Sequence, residues 1–165
     1  MEGQILFFAG RADEAANALR ATMDMDPNFW LAHLFMTRIY LKKEMFAEAL
    51  ESAAKAKQLT GGNAEATGTL GYAAAKSGKR HRAHRVLKEL EARAGKGFVP
   101  AYAFAQIHLA LGDRTKAMNL LEKAFEQREP LMVFIKVEPK WDALRSEPRF
   151  LQLMKRMKFG VSGKT

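Results

Sequence analysis

Two stretches of the sequence hold residue types from which chemical sites are built. The last residues, Gly160 to Thr165, include Gly163-Lys164-Thr165, the triplet that closes a phosphate-cradling loop. That loop also needs a glycine where Lys158 stands and a helix after its hydroxyl residue, so the stretch reads as a frayed end. His81 and His84 stand three apart at the start of an expected helix and could share a metal. The surrounding lysines and arginines repel a cation, and no neighbouring carboxylate supplies a third ligand, so a solvated basic face is the reading. His33 and His108 read as packing or groove positions. Asp24, Asp26, Asp113 and Asp142 fall at expected helix boundaries, where capping accounts for them, and no Ser, His and Asp set has a recognisable context. Nine methionines suit adaptable core filling. No catalytic residue, no metal and no cofactor is expected, and the chain does not read as an enzyme.

The elements that position these residues follow from composition. At 165 residues and 48% hydrophobic content the chain can bury one core, read here as one cooperative unit. Five prolines and twelve glycines among abundant Ala, Leu, Lys, Arg and Glu favour an all-α fold. Zero cysteines exclude disulfides and thiolate sites, and the absence of a signal-like start or a long apolar run points to a soluble, cytoplasmic chain with no membrane contact. The net charge is +9. Lys76, Lys79, Arg80, Arg82, Arg85 and Lys88 concentrate it within thirteen residues that contain no carboxylate.

A period of 34 residues organises the chain: Ala15, Ala49, Ala83 and Ala117 are separated by that interval, and five residues before each lies Gly10, Glu44, Gly78 or Gly112. Four residues after each alanine come Leu19, Ala53, Leu87 and Leu121, which is the spacing of one helical face. A second small column, Gly3, Thr37, Gly71 and Ala105, marks where helix backbones must approach closely. Helices are expected over about 1–9, 12–25, 29–42, 45–58, 63–77, 80–94, 98–111 and 114–127. The first unit lacks the start of its first helix, so the chain reads as beginning inside a repeat and as part of a longer protein, or as pairing through that end.

This pattern resembles the tetratricopeptide repeat family, with Asp26-Pro27-Asn28 matching its usual boundary between units. Gly61 and Gly95 depart from that proline, Glu44 departs from the turn glycine, and Ala74 and His108 stand where Tyr40 shows the usual aromatic. The 35-residue pentatricopeptide alternative, which would imply RNA recognition, fits the interval and the small columns less well. The resemblance implies a right-handed superhelix, an α-solenoid of about four antiparallel helix pairs over residues 1–130. Residues 131–165 are expected to be a C-terminal capping segment with a frayed terminus. Within that segment a helix is expected over about Glu147 to Lys158, capped by Ser146 or Glu147, with Phe150, Leu151, Met154 and Met157 on its covering face. Pro139, Trp141, Leu144, Arg145, Ser146, Pro148, Arg149 and Phe150 resemble the ending of tetratricopeptide arrays in bacterial multidomain regulators.

The resemblance also implies where a partner would lie. The first helix of each pair, helix A, lines a concave groove, and the corresponding positions are Leu34, Arg38, Leu41 and Lys42, then Tyr72 and Lys76, then Tyr102, Gln106 and Leu109. The carboxylate clamp of chaperone-binding members is missing, since Leu34, Arg38, Thr69, Val99 and Ala103 occupy its places. The expected function is therefore a protein-interaction scaffold that takes a protein or peptide with an acidic or amphipathic segment, with Arg38, Tyr72 and Tyr102 at its centre. Two other readings stand beside it. One is self-association through the N-terminal end. The other is polyanion or nucleic-acid binding through the basic convex patch of Lys79, Arg80, Arg82, Arg85 and Lys88.

Overall fold

The computed structural model describes residues 2–158, and the Gly160 to Thr165 stretch lies outside them. The fold is all-α, as the composition and the period require. Two compact units divide the chain, Met1–Val99 and Pro100–Thr165.

The first unit holds α1 (Glu2–Phe8), α2 (Ala12–Met25), α3 (Trp30–Lys42), α4 (Phe46–Leu59), α5 (Ala64–Lys76) and α6 (Arg80–Ala94). Helices α1 and α2, α3 and α4, and α5 and α6 pack as hairpins. Helix α3 also lies against α1 and α5, so helices of the same kind neighbour one another. Small residues permit this closeness: Ala15, Ala49, Ala53, Ala56 and Ala83 are fully buried. A Cβ placed on Gly3 would come within 2.6 Å of Leu19 Cγ, which is why glycine suits position 3.

One turn recurs at each hairpin. Gly10, Gly78 and Gly112 adopt φ of 79°, 72° and 92°, and Glu44 adopts 57° at the equivalent place. At each, the amide of the left-handed residue donates three residues back and the next amide donates five back, as in Gly78 N–H to Ala75 C=O and Lys79 N–H to Ala74 C=O at 2.8 Å. Two donors thereby satisfy carbonyls that the ending helix leaves unpaired. Asn63 starts α5 by accepting from the Ala66 amide at 2.8 Å.

The second unit holds α7 (Ala101–Ala110), α8 (Arg114–Glu126), two 3-10 turns over Pro130–Phe134 and Pro139–Leu144, and α9 (Pro148–Arg156). Asp113 caps α8 through the Lys116 amide at 3.0 Å. The apolar run after Pro130 is a tail folded onto the α7 and α8 pair. Met132, Ile135, Trp141, Leu144, Phe150 and Leu153 join Tyr102, Ala105, Met118 and Leu121 in one buried cluster. Two details of the tail differ from the sequence reading. Glu147 precedes α9 without capping it and pairs instead with Arg114 at 3.4 Å. Leu151 is 49% exposed, because the covering face runs through Phe150, Leu153, Met154 and Met157, and Leu151 lies a quarter-turn away.

Candidate functional site

In the first unit the expected groove residues come from α3 and α5, the two A helices that touch. The 34-residue period sets them in rows: Arg38 with Tyr72, and one turn later Lys42 with Lys76. Lys42 and Lys76 are exposed and Tyr72 is half-buried. Arg38 is not presented in the same way. Its guanidinium sits 4.5 Å above the Phe35 ring and 3.8 Å from the Glu65 carboxylate, with a side chain only 8% exposed. Leu34 and Leu41 are buried, Leu34 within the cluster of Phe7, Leu19, Phe35 and Ile39, so both are core positions and line no open groove. The cause is local geometry: groove and core positions adjoin within a single helical turn.

In the second unit the tail takes up the same kind of helix A positions. Tyr102 is 3% exposed, accepts a hydrogen bond from Trp141 Nε1 at 3.1 Å and meets that ring edge-on with centroids 5.2 Å apart. Gln106 is buried too, its Oε1 accepting from Lys140 Nζ at 2.8 Å. Lys140 also lies 5.6 Å from the Tyr102 ring centroid and 3.9 Å from the buried Glu138 carboxylate. Leu109 packs against the same cluster. Tyr102 and Gln106 thus hold the tail, and the expected centre of Arg38, Tyr72 and Tyr102 is not a set of three open side chains.

The sequence reading missed the residue that anchors this arrangement. Helix α7 begins after Pro100, whose side chain can cap nothing. The buried Glu129 supplies the cap from the far end of α8, accepting from the Ala101 and Tyr102 amides at 2.6 and 3.0 Å. A carboxylate suits the positive end of a helix. Its only sequence signal was its place before Pro130; the structure adds a left-handed φ of 55° at the preceding Arg128.

The basic run occupies the turn after α5 and the outer stripe of α6. Lys79, Arg80, Arg85 and Lys88 are exposed, Arg82 is half-buried, and the opposite stripe of Ala83, Val86, Leu87 and Leu90 is buried. A shallow cavity of about 600 Å³ is lined by Gly78, Lys79, Arg80, His81, Arg82 and Arg85. A second cavity, of about 670 Å³, lies between α3 and α4 and includes His33, Tyr40, Glu48, Glu51 and Ser52. His33 Nε2 is engaged by the Pro27 carbonyl at 2.9 Å, so that nitrogen does not face a ligand. Among the described residues no three His, Cys, Asp or Glu side chains gather to hold a metal, and no helix is long and apolar enough to cross a membrane.

The shifted titrations lie at surface ion pairs, one of which, Asp13 with Lys43, stands near Lys42. A hydrogen bond from Lys43 holds the Asp13 carboxyl below the usual carboxylate range, and one from Arg11 does the same for Glu14.

No curated protein matches the sequence. Residues 101–129 match the family model described as a tetratricopeptide repeat, and they coincide with α7, α8 and the Glu129 cap. That match supports a general role as a protein–protein interaction scaffold, a role in which such helical repeats are generally non-catalytic. The match supports a tetratricopeptide repeat at α7 and α8, and the same helix-pair period runs back through α1.

Proposed function

We propose that the chain docks an acidic or amphipathic segment of a partner protein along the wall formed by α3 and α5. The observation that supports this most is the exposure of Lys42 and Lys76 at equivalent positions of neighbouring A helices, one turn beyond Arg38 and the half-buried Tyr72. Two ammonium groups in register offer a carboxylate-bearing segment a repeated contact, and Tyr72 adds an amphipathic surface between them. Burial of Leu34, Leu41, Tyr102 and Gln106 narrows the reading to this wall. In this reading the repeats to residue 130 carry the interaction and the segment from 131 closes the last helix pair. The likeness of Pro139 to Phe150 to the endings of bacterial regulators supports a place within a larger cytoplasmic regulatory protein.

The test is a partner recovered with the intact chain and then titrated against variants at matched folding. Lys42→Glu with Lys76→Glu is expected to weaken binding at least tenfold, since reversing two charges opposes an acidic segment directly. Tyr72→Ala is expected to weaken it less, and Arg85→Glu on the outer stripe to leave it unchanged. Unchanged affinity in the double variant, with loss in Arg85→Glu, would place the partner on α6 instead.

A further inference from the structure

The outer side of α6 and the turn before it concentrate cations in a stretch that contains no carboxylate. Several arginines and lysines elsewhere are paired: Lys57 with Glu89 at 2.5 Å, Arg93 with Glu89 at 2.8 Å, Arg149 with Glu122 at 2.7 Å and Arg145 with Asp142 at 2.6 Å. Lys79, Arg82, Arg85 and Lys88 enter no ion pair among the described residues. Glu89, the first carboxylate after the run, is turned toward the preceding helix pair by Lys57 and Arg93 and does not neutralise the stripe. Lys79 stands just before α6, and Arg82, Arg85 and Lys88 recur every third residue along it over a rise of about 9 Å, each step turning about 60° around the helix. These three stand on a helix whose opposite face is locked into the core by Val86, Leu87 and Leu90.

We propose that this stripe is a sequence-independent binding surface for the phosphate backbone of a double-stranded nucleic acid. The proposal is independent of the protein-binding wall on α3 and α5. Three features select this occupant among polyanions. The cavity against the stripe is lined by cationic side chains, one imidazole and a glycine, with no carboxylate to repel a phosphate. No large hydrophobic side chain is exposed between Lys76 and Gly97, so the stripe has neither the apolar face that inserts into a lipid surface nor the apolar anchor at the centre of a protein interface. It also lacks an aromatic platform on which unpaired bases would stack, which favours a duplex over a single strand. A rigid helix that carries cations outside any ion pair suits backbone contact, because the free energy comes from releasing counterions and not from reading base edges.

The experiment is fluorescence anisotropy of the intact chain with labelled duplex DNA and duplex RNA over a series of salt concentrations. Contact with three to four phosphates gives a slope of log K against log salt of about −3 to −4. Arg85→Gln with Lys88→Gln, both exposed positions, is expected to flatten that slope by about 2 with melting unchanged. Lys79→Gln with Arg82→Gln is expected to act alike, which guards against a local folding defect in either pair. Lys42→Gln with Lys76→Gln is expected to leave the slope unaltered if the stripe alone is the site. No duplex binding at low salt overturns the proposal, as does a slope that the α6 variants do not change. Equal or tighter binding to polyglutamate or to vesicles of anionic lipid also overturns it, since the surface would then favour another kind of polyanion.

Discussion

The two compact units bury their helix pairs by opposite means. In residues 2–99 small side chains that recur every 34 residues set the close approaches of the helices, beside a cluster that includes Phe7, Leu34, Phe35 and Ile39. In residues 100–158 the pair of α7 and α8 is covered by a non-repeating tail whose largest buried side chains are Trp141 and Phe150, with polar links at Glu129, Gln106 and Tyr102. The contrast separates two jobs that a stack of repeats must perform. Repeating contacts extend a stack and leave side chains such as Lys42 and Lys76 exposed on the A helices of the first unit. A tail closes a pair and consumes those same positions to do so.

Breaking the closing job is expected to have the largest effect. Trp141→Ala removes a fully buried ring and its bond to Tyr102, at a cost of about 3–5 kcal/mol. Denaturant unfolding is expected to show a midpoint shift, with helical signal of the second unit lost before that of the first. A single transition at the parent midpoint would mean the tail does not hold its unit together. The extending job is disturbed less. Ala83→Leu overpacks the contact of α5 with α6 and is expected to cost about 1–3 kcal/mol, read as a lowered melting temperature, whereas Ala92→Leu at an exposed position of α6 should change little. The smallest expected effect is a gain. Glu44 is held at φ 57° where three equivalent turns have glycine, so Glu44→Gly is expected to stabilise by about 1 kcal/mol. A melting temperature that fails to rise would show that Glu44 makes a compensating contact.

The first unit was legible in the sequence and the second only in part, for one reason. Periodic contacts write themselves into a sequence as columns, and the columns of Ala83 and Gly78 gave the helices to within three residues. The tail is built once. Its apolar run after Pro130 was visible, but that Trp141 reaches Tyr102, or Lys140 reaches Gln106, depends on a fold-back that no interval encodes. The groove residues failed in the same way. Leu34 and Arg38 occupy the right positions of helix A, yet burial of the one and the Glu65 pairing of the other depend on neighbours from α1 and α5. The basic stripe was easier, since alternation of Ala83, Val86, Leu87 and Leu90 with cations fixes which side of α6 faces out.

The Glu129 cap has a consequence in the exchange of single protons. The opening amides of a helix ordinarily trade hydrogen with water freely, having no carbonyl partner within the helix. Those of Ala101 and Tyr102 instead sit on a buried carboxylate that arrives from the other end of the hairpin. In heavy water these two amides exchange only when Glu129 withdraws, so their rates become a clock for the opening of the α8 end.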